Sequence, residues 1–75
     1  MDLDLARTFL EIVRYASLAG AAEKLHVTQT AVTARLQKLE SLLGVTLFVR
    51  NRAGARLTPE GEAFVVYANQ LLQTW

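Results

Sequence analysis

The 75-residue chain has no cysteine, which excludes disulfide staples and any thiolate metal site. His26 is its only histidine, so no histidine cluster can form within one chain and no metal site is expected. No apolar run approaches the roughly 18 residues that a membrane span needs. The N-terminus also lacks the basic-then-apolar layout of a signal peptide. These absences predict a soluble protein of the cytoplasm with no membrane partner. There is no glycine-rich phosphate loop, and no carboxylate pair suggests acid–base chemistry. The chain therefore reads as a non-enzyme without a cofactor.

A chain of this length buries only roughly 60% of the surface that it exposes when unfolded. With disulfides and metals excluded, oligomerisation is the remedy left for so small a domain. A hydrophobic fraction of 52% suits a domain with one face covered by a partner. Net charge is only +1 and the pI of 8.2 is modest, but the total hides a gradient. Residues 1–27 sum to −1, residues 28–57 to +4 and residues 58–75 to −2. The basic middle third holds Arg35, Lys38, Arg50, Arg52 and Arg56 against Glu40 alone. That is the pattern of a chain with one side facing a polyanion.

The stretch from Thr28 to Gly44 organises the rest. Val32, Leu36, Leu39 and Leu43 recur at helical spacing on one narrow stripe. Thr28 is a cap signal at its start and Gly44 a stop signal at its end. Away from the stripe stand Gln29, Thr30, Thr33, Gln37 and Lys38, of which only the last is charged. Such a face is suited to reading base edges, although an ordinary amphipathic surface helix has the same outline.

Upstream, residues 2–16 predict a helix with Leu5, Phe9, Ile12, Val13 and Ala16 on its core stripe. Leu10 lies off that stripe, as either a surface leucine or a contact with a second chain. Ser17 caps a short second helix, Leu18 to Leu25, in which Gly20 marks either close contact or a tolerated defect. Only His26 and Val27 separate that helix from Thr28, the spacing of a helix-turn-helix. Downstream, Val45–Val49 predicts a strand, Arg50–Ala55 a turn and Arg56–Leu57 a returning strand. A hairpin in that place is a wing, with Arg50 and Arg52 at its tip. Loop arginines are by default simply solvated, but here they follow a candidate reading helix.

Thr58-Pro59-Glu60-Gly61-Glu62 is a helix start. Phe64, Ala68, Leu71, Leu72 and Trp75 then share one face. Three helices and a wing already supply a core, so this stripe is expected to be free for a dimer interface. Trp75 carries no C-cap signal, as though a helix were cut there. The predicted architecture is mainly α: a winged helix-turn-helix over 1–57, with three helices and a short β-hairpin, followed by a long linker and dimerisation helix over 58–75.

Ser17, Ala21-Ala22, Leu25, Val27-Thr28-Gln29, Leu39-Glu40, Leu42, Gly44, Leu47-Phe48, Arg50, Leu57-Thr58 and Gly61 together resemble the DNA-binding domain of LysR-type bacterial transcriptional regulators. The resemblance spans essentially the whole chain. It implies sequence-specific binding of double-stranded DNA, at an interrupted inverted repeat, by a homodimer paired through the last helix. It further implies a bacterial, nucleoid-associated protein whose small-molecule effector acts through a separate domain. Gln29, Thr30, Thr33 and Ala34 would face bases or backbone, with Thr28, Arg35, Gln37 and Lys38 beside them. Arg50 and Arg52 would sit where wing side chains approach phosphate or the minor groove, and Arg56 is a further DNA-binding candidate. Thr30 stands where the family often has proline, Ala34 where arginine is common and Gly20 where a basic residue often sits. Ala34 matters most, because it cannot make an arginine's bidentate guanine contact but can still touch a thymine methyl. Arg35 is about 100° further round the helix and is expected to meet phosphate. Two alternatives share the fold: a molybdate-responsive type of winged-helix regulator, and a winged-helix protein-interaction module.

Overall fold

Each helix begins on a side chain that satisfies an otherwise unpaired amide. Asp2, Ser17, Thr28 and Thr58 accept from the backbone N–H of Asp4, Gly20, Ala31 and Gly61 at 2.8, 2.7, 3.0 and 2.9 Å. A cap of this kind stabilises a helix by about 1 kcal/mol. In the computed structural model, which describes residues 2–74, these caps open α1 (Leu3–Tyr15), α2 (Leu18–Leu25), α3 (Gln29–Leu43) and α4 (Pro59–Thr74). Between α3 and α4 lie β1 (Phe48–Asn51) and β2 (Gly54–Leu57), an antiparallel pair with Phe48 opposite Leu57 and Arg50 opposite Ala55. Left-handed residues close the first three helices: Ala16, His26 and Gly44, with φ of 53°, 58° and 72°. The expected winged helix-turn-helix is the observed fold. No helix among the described residues is long and apolar enough to cross a membrane.

Phe9 sits at the centre of the core. Its ring lies 5.3 Å from that of Phe48 and 5.0 Å, edge-on, from that of Phe64. One side chain thus joins α1, the wing and α4. Around it pack Leu5 and Ile12 of α1, Leu18, Ala21 and Ala22 of α2, and Val32, Leu36 and Leu39 of α3, with Leu47 and Ala68. Leu10 is half-buried against the same cluster. Gly20 marks a close approach: a Cβ there would stand 2.7 Å from that of Tyr15.

Two expectations need correction. The first strand starts at Phe48, not Val45, because residues 45–47 have other partners. The Val45 amide donates to Glu40 O, the Leu47 amide to Glu40 Oε2, and Thr46 O accepts from the Thr58 hydroxyl. β-branched propensity makes no strand where no ladder partner is free. The strand runs on through Arg50 and Asn51 instead, and Gly54 and Ala55 already belong to β2.

The second correction concerns α4. Phe64 and Ala68 are buried within their own chain, and Leu71 packs half-buried against the same core. The stripe expected to be free therefore covers α1, since three helices and a wing leave Phe9 open on that side. Leu72 is half-buried, and Trp75 lies outside the described residues. Outside that stripe α4 is exposed, with Val66 61% and Tyr67 51% accessible.

Phe64→Ala is accordingly expected to cost about 3 kcal/mol or more, as large-to-small core substitutions do. Thermal unfolding followed by circular dichroism should show this loss equally in dilute and concentrated samples. A loss that vanished on dilution would return Phe64 to an interface.

Candidate nucleic-acid interface

Burial of Val32, Leu36 and Leu39 fixes how α3 is rotated. On its opposite side Thr30, Ala34, Gln37 and Ser41 fall at i, i+4, i+7 and i+11 and are all exposed. They form a ridge of short or amide side chains without charge. Thr33 is half-buried on one flank and Lys38 exposed on the other. Thr28 is exposed, and its hydroxyl oxygen is engaged as the cap of α3. Gln29 opens the helix beside the wing. With Arg50, Asn51 and Gly54 of the hairpin and Ser17, Leu18 and Ala19 of α2, it lines a recess of about 400 Å³. Two helix N-termini and the wing thus meet around one depression. Helix N-termini present amide donors and partial positive charge to anions.

The arginines do not act as one group. Arg50 is not at the hairpin tip; it pairs with buried Ala55 in the ladder, which turns it toward the helices and the recess. Arg56 pairs with exposed Val49 on the outer face of the same ladder and does not line the recess. The tip is Arg52-Ala53 alone, tightened by the Ala53 amide donating to Asn51 Oδ1 at 2.8 Å. Arg35 is half-buried: its Nη1 donates at 3.3 Å to Thr8 Oγ1, whose hydroxyl also donates to Asp4 O. The bond to Thr8 ties α3 to α1 and holds Arg35 beside the core stripe, away from the exposed ridge. Its position three residues after Val32, beside the core stripe, carries that signal.

Among the described residues the only ion pair joins Arg14 and Glu11 at 3.9 Å. Lys38, Arg50, Arg52 and Arg56 are exposed and form none there. Glu40, the one acid of the basic third, turns its carboxylate to the Leu47 amide at 2.7 Å. The outward charge of α3 and the wing is left positive. Sequence reasoning had no role for this carboxylate. The available signal was a lone acid in a basic stretch, one turn before a helix stop. Ser17–Ala19 and Asn51 were also not anticipated in the recess, because only the docking of the hairpin onto the end of α1 brings them there. That docking is a hydrogen bond of 2.9 Å from the Ala55 amide to Ala16 O.

The family described as bacterial regulatory helix-turn-helix protein, lysR family, matches residues 3–62. The HTH-type transcriptional regulator HdfR of Yersinia pestis (strain Pestoides F) is 51% identical over 75 residues, which is all of this chain and 26% of that protein. The chain thus spans about a quarter of the length of the curated relatives it matches. Among solved structures, the CbnR DBD–DNA complex superposes with a TM-score of 0.95 at 35% identity, covering 99% of this chain and 85% of that one. The complex of the BenM DBD with catB site 1 DNA gives 0.92 at 36%, covering 99% and 83%.

Gly54 should be the most sensitive backbone position of the recess. Its φ is 133°, and a Cβ there would overlap Ala16 O. Gly54→Ala is expected to destabilise the hairpin by about 1–3 kcal/mol. Amide exchange at Ala55 should accelerate first, and unchanged protection there would contradict the docking.

Proposed function

The chain belongs to the LysR family of bacterial regulatory helix-turn-helix proteins, and from that premise we propose that it binds double-stranded DNA sequence-specifically as a homodimer. Each subunit lays the N-terminal half of α3 in a major groove, where a helix fits and base edges are distinguishable. The observation that carries this reading is the shared recess. Gln29, at the start of the uncharged face of α3, and Arg50, a wing cation without an ion pair among the described residues, line one depression with the start of α2. A base-facing helix and phosphate-facing groups therefore address the same duplex. Phosphate contacts fix position and register, while base contacts supply the sequence.

Within this scheme Gln29, Thr30, Thr33, Ala34 and Gln37 meet bases or the sugar edge. Thr28, Lys38, Arg50 and Arg52 meet the backbone. Arg56 joins only if the duplex curves around the outer face of the wing. Arg35 contributes by holding α3 against α1.

Two-fold pairing matches an interrupted inverted repeat. The exposed side of α4 supports that pairing: Ala63, Val66, Tyr67, Gln70 and Thr74 form a strip without charge. Such a strip favours a second apolar surface over water. Leu71, half-buried at its margin, would close the seam, whereas Leu72 lies on the far side of the buried stripe. The division at residue 57 then separates roles, DNA contact before it and pairing after it, although both parts share one core. The relatives are transcriptional regulators, and a small-molecule effector would act through a separate domain of such a protein. The place of work would be the bacterial cytoplasm, at the nucleoid.

Arg52→Ala should weaken binding to every duplex alike and lower the slope of log affinity against log salt by about 1. An unchanged slope would remove Arg52 from the phosphate contacts. Tyr67→Glu, which places charge on the α4 strip, should shift sedimentation from dimer to monomer without loss of helix content. A parent chain that is monomeric at high micromolar concentration would defeat the pairing.

A further inference from the structure

Resting on the DNA-binding reading above, the structure points to the chemistry of the half-site. The commonest way for a helix to select guanine is a cation at its base-facing turns, an arginine bidentate to O6 and N7 above all. On α3 no such group is placed to do this. The ridge opposite the core, Thr30, Ala34, Gln37 and Ser41, is exposed and uncharged. Arg35, the only cation in the first two turns, lies beside the core stripe with its Nη1 on Thr8 Oγ1. Lys38 is a turn beyond Ala34 and on the flank. Base edges are met by the N-terminal residues of a recognition helix, so its flexible ammonium falls among the phosphates.

We infer that α3 specifies A·T pairs, with the Ala34 methyl group packed against a thymine methyl and the neighbouring threonine and glutamine side chains on the same run of bases. The residue types agree. Alanine and the methyl of threonine make apolar contact with the thymine 5-methyl group, and glutamine is bidentate to adenine N6 and N7. Size agrees as well: with only a methyl group at the centre of the ridge, the helix backbone can approach the floor of the groove. A longer side chain at position 34 would hold it away.

The test starts from duplexes selected from a random pool by the chain. Each thymidine of the best duplex is then replaced singly by deoxyuridine, which removes one methyl group from the major groove and nothing from the minor groove. Affinity is expected to fall about fourfold at one or more positions per half-site, the effect of one buried methyl-sized group. With Ala34→Gly the same replacement should cost nothing. Ala34→Arg, at an exposed position where folding is not at stake, should select guanine at that base pair. Deoxyuridine tolerated at every thymidine, or guanine fixed beneath α3 by the parent chain, would overturn this inference and leave DNA binding intact. Failure to enrich any duplex at low salt would overturn the DNA-binding reading itself, and this inference with it.

Discussion

The two peptide groups of Leu47 hold the molecule in register. The Leu47 amide donates to Glu40 Oε2, and its carbonyl accepts from the Thr58 amide at 3.0 Å. Residue 61 is glycine, and a Cβ there would overlap the same carbonyl oxygen. The end of α3, the entry to β1 and the first turn of α4 are thus fastened to one residue. Its side chain is itself completely buried. A charge-assisted hydrogen bond such as that from Glu40 is worth about 1.5–3 kcal/mol, a large share of the margin of so small a domain.

This fastening converts a local pattern into a site. Once α3 is rotated by its core stripe and the hairpin is tied to its far end, the return of β2 onto Ala16 brings Arg50 back toward the start of α3. The basic wing then adjoins the neutral face of the helix. The one acid in that region is turned inward to make the connection, so the same hydrogen bond supplies geometry and removes an opposing charge from the surface. Stability and electrostatics are coupled through Glu40.

Much of this was legible in the sequence because the signals were local. Ser17, Thr28 and Thr58 bond the amides that their positions suggested, and His26-Val27 is the whole interval before the capping threonine. The stripe through Val32 gave the rotation of α3 directly. What could not be read depended on where chain segments met. Val45 and Thr46 have strand-forming side chains, but their backbone groups are claimed by Glu40 and Thr58. Phe64 and Ala68 show the same periodicity whether a stripe faces a partner or the chain's own Phe9; only packing distinguishes the two. Arg35 and Arg50 look alike in sequence, yet one bonds a threonine of α1 and the other lines the recess.

Two surfaces with different chemistry remain open: a polar and basic one made by α3 and the wing, and an uncharged strip on α4. The central claim is that the first grips a duplex as a unit. Titrating the isotopically labelled chain with duplex DNA and following its amide resonances tests this most directly. Amides of Gln29–Lys38 and of Arg50–Gly54 should shift together and saturate at one DNA concentration. Perturbation confined to α4, or shifts in α3 without the wing, would contradict the account.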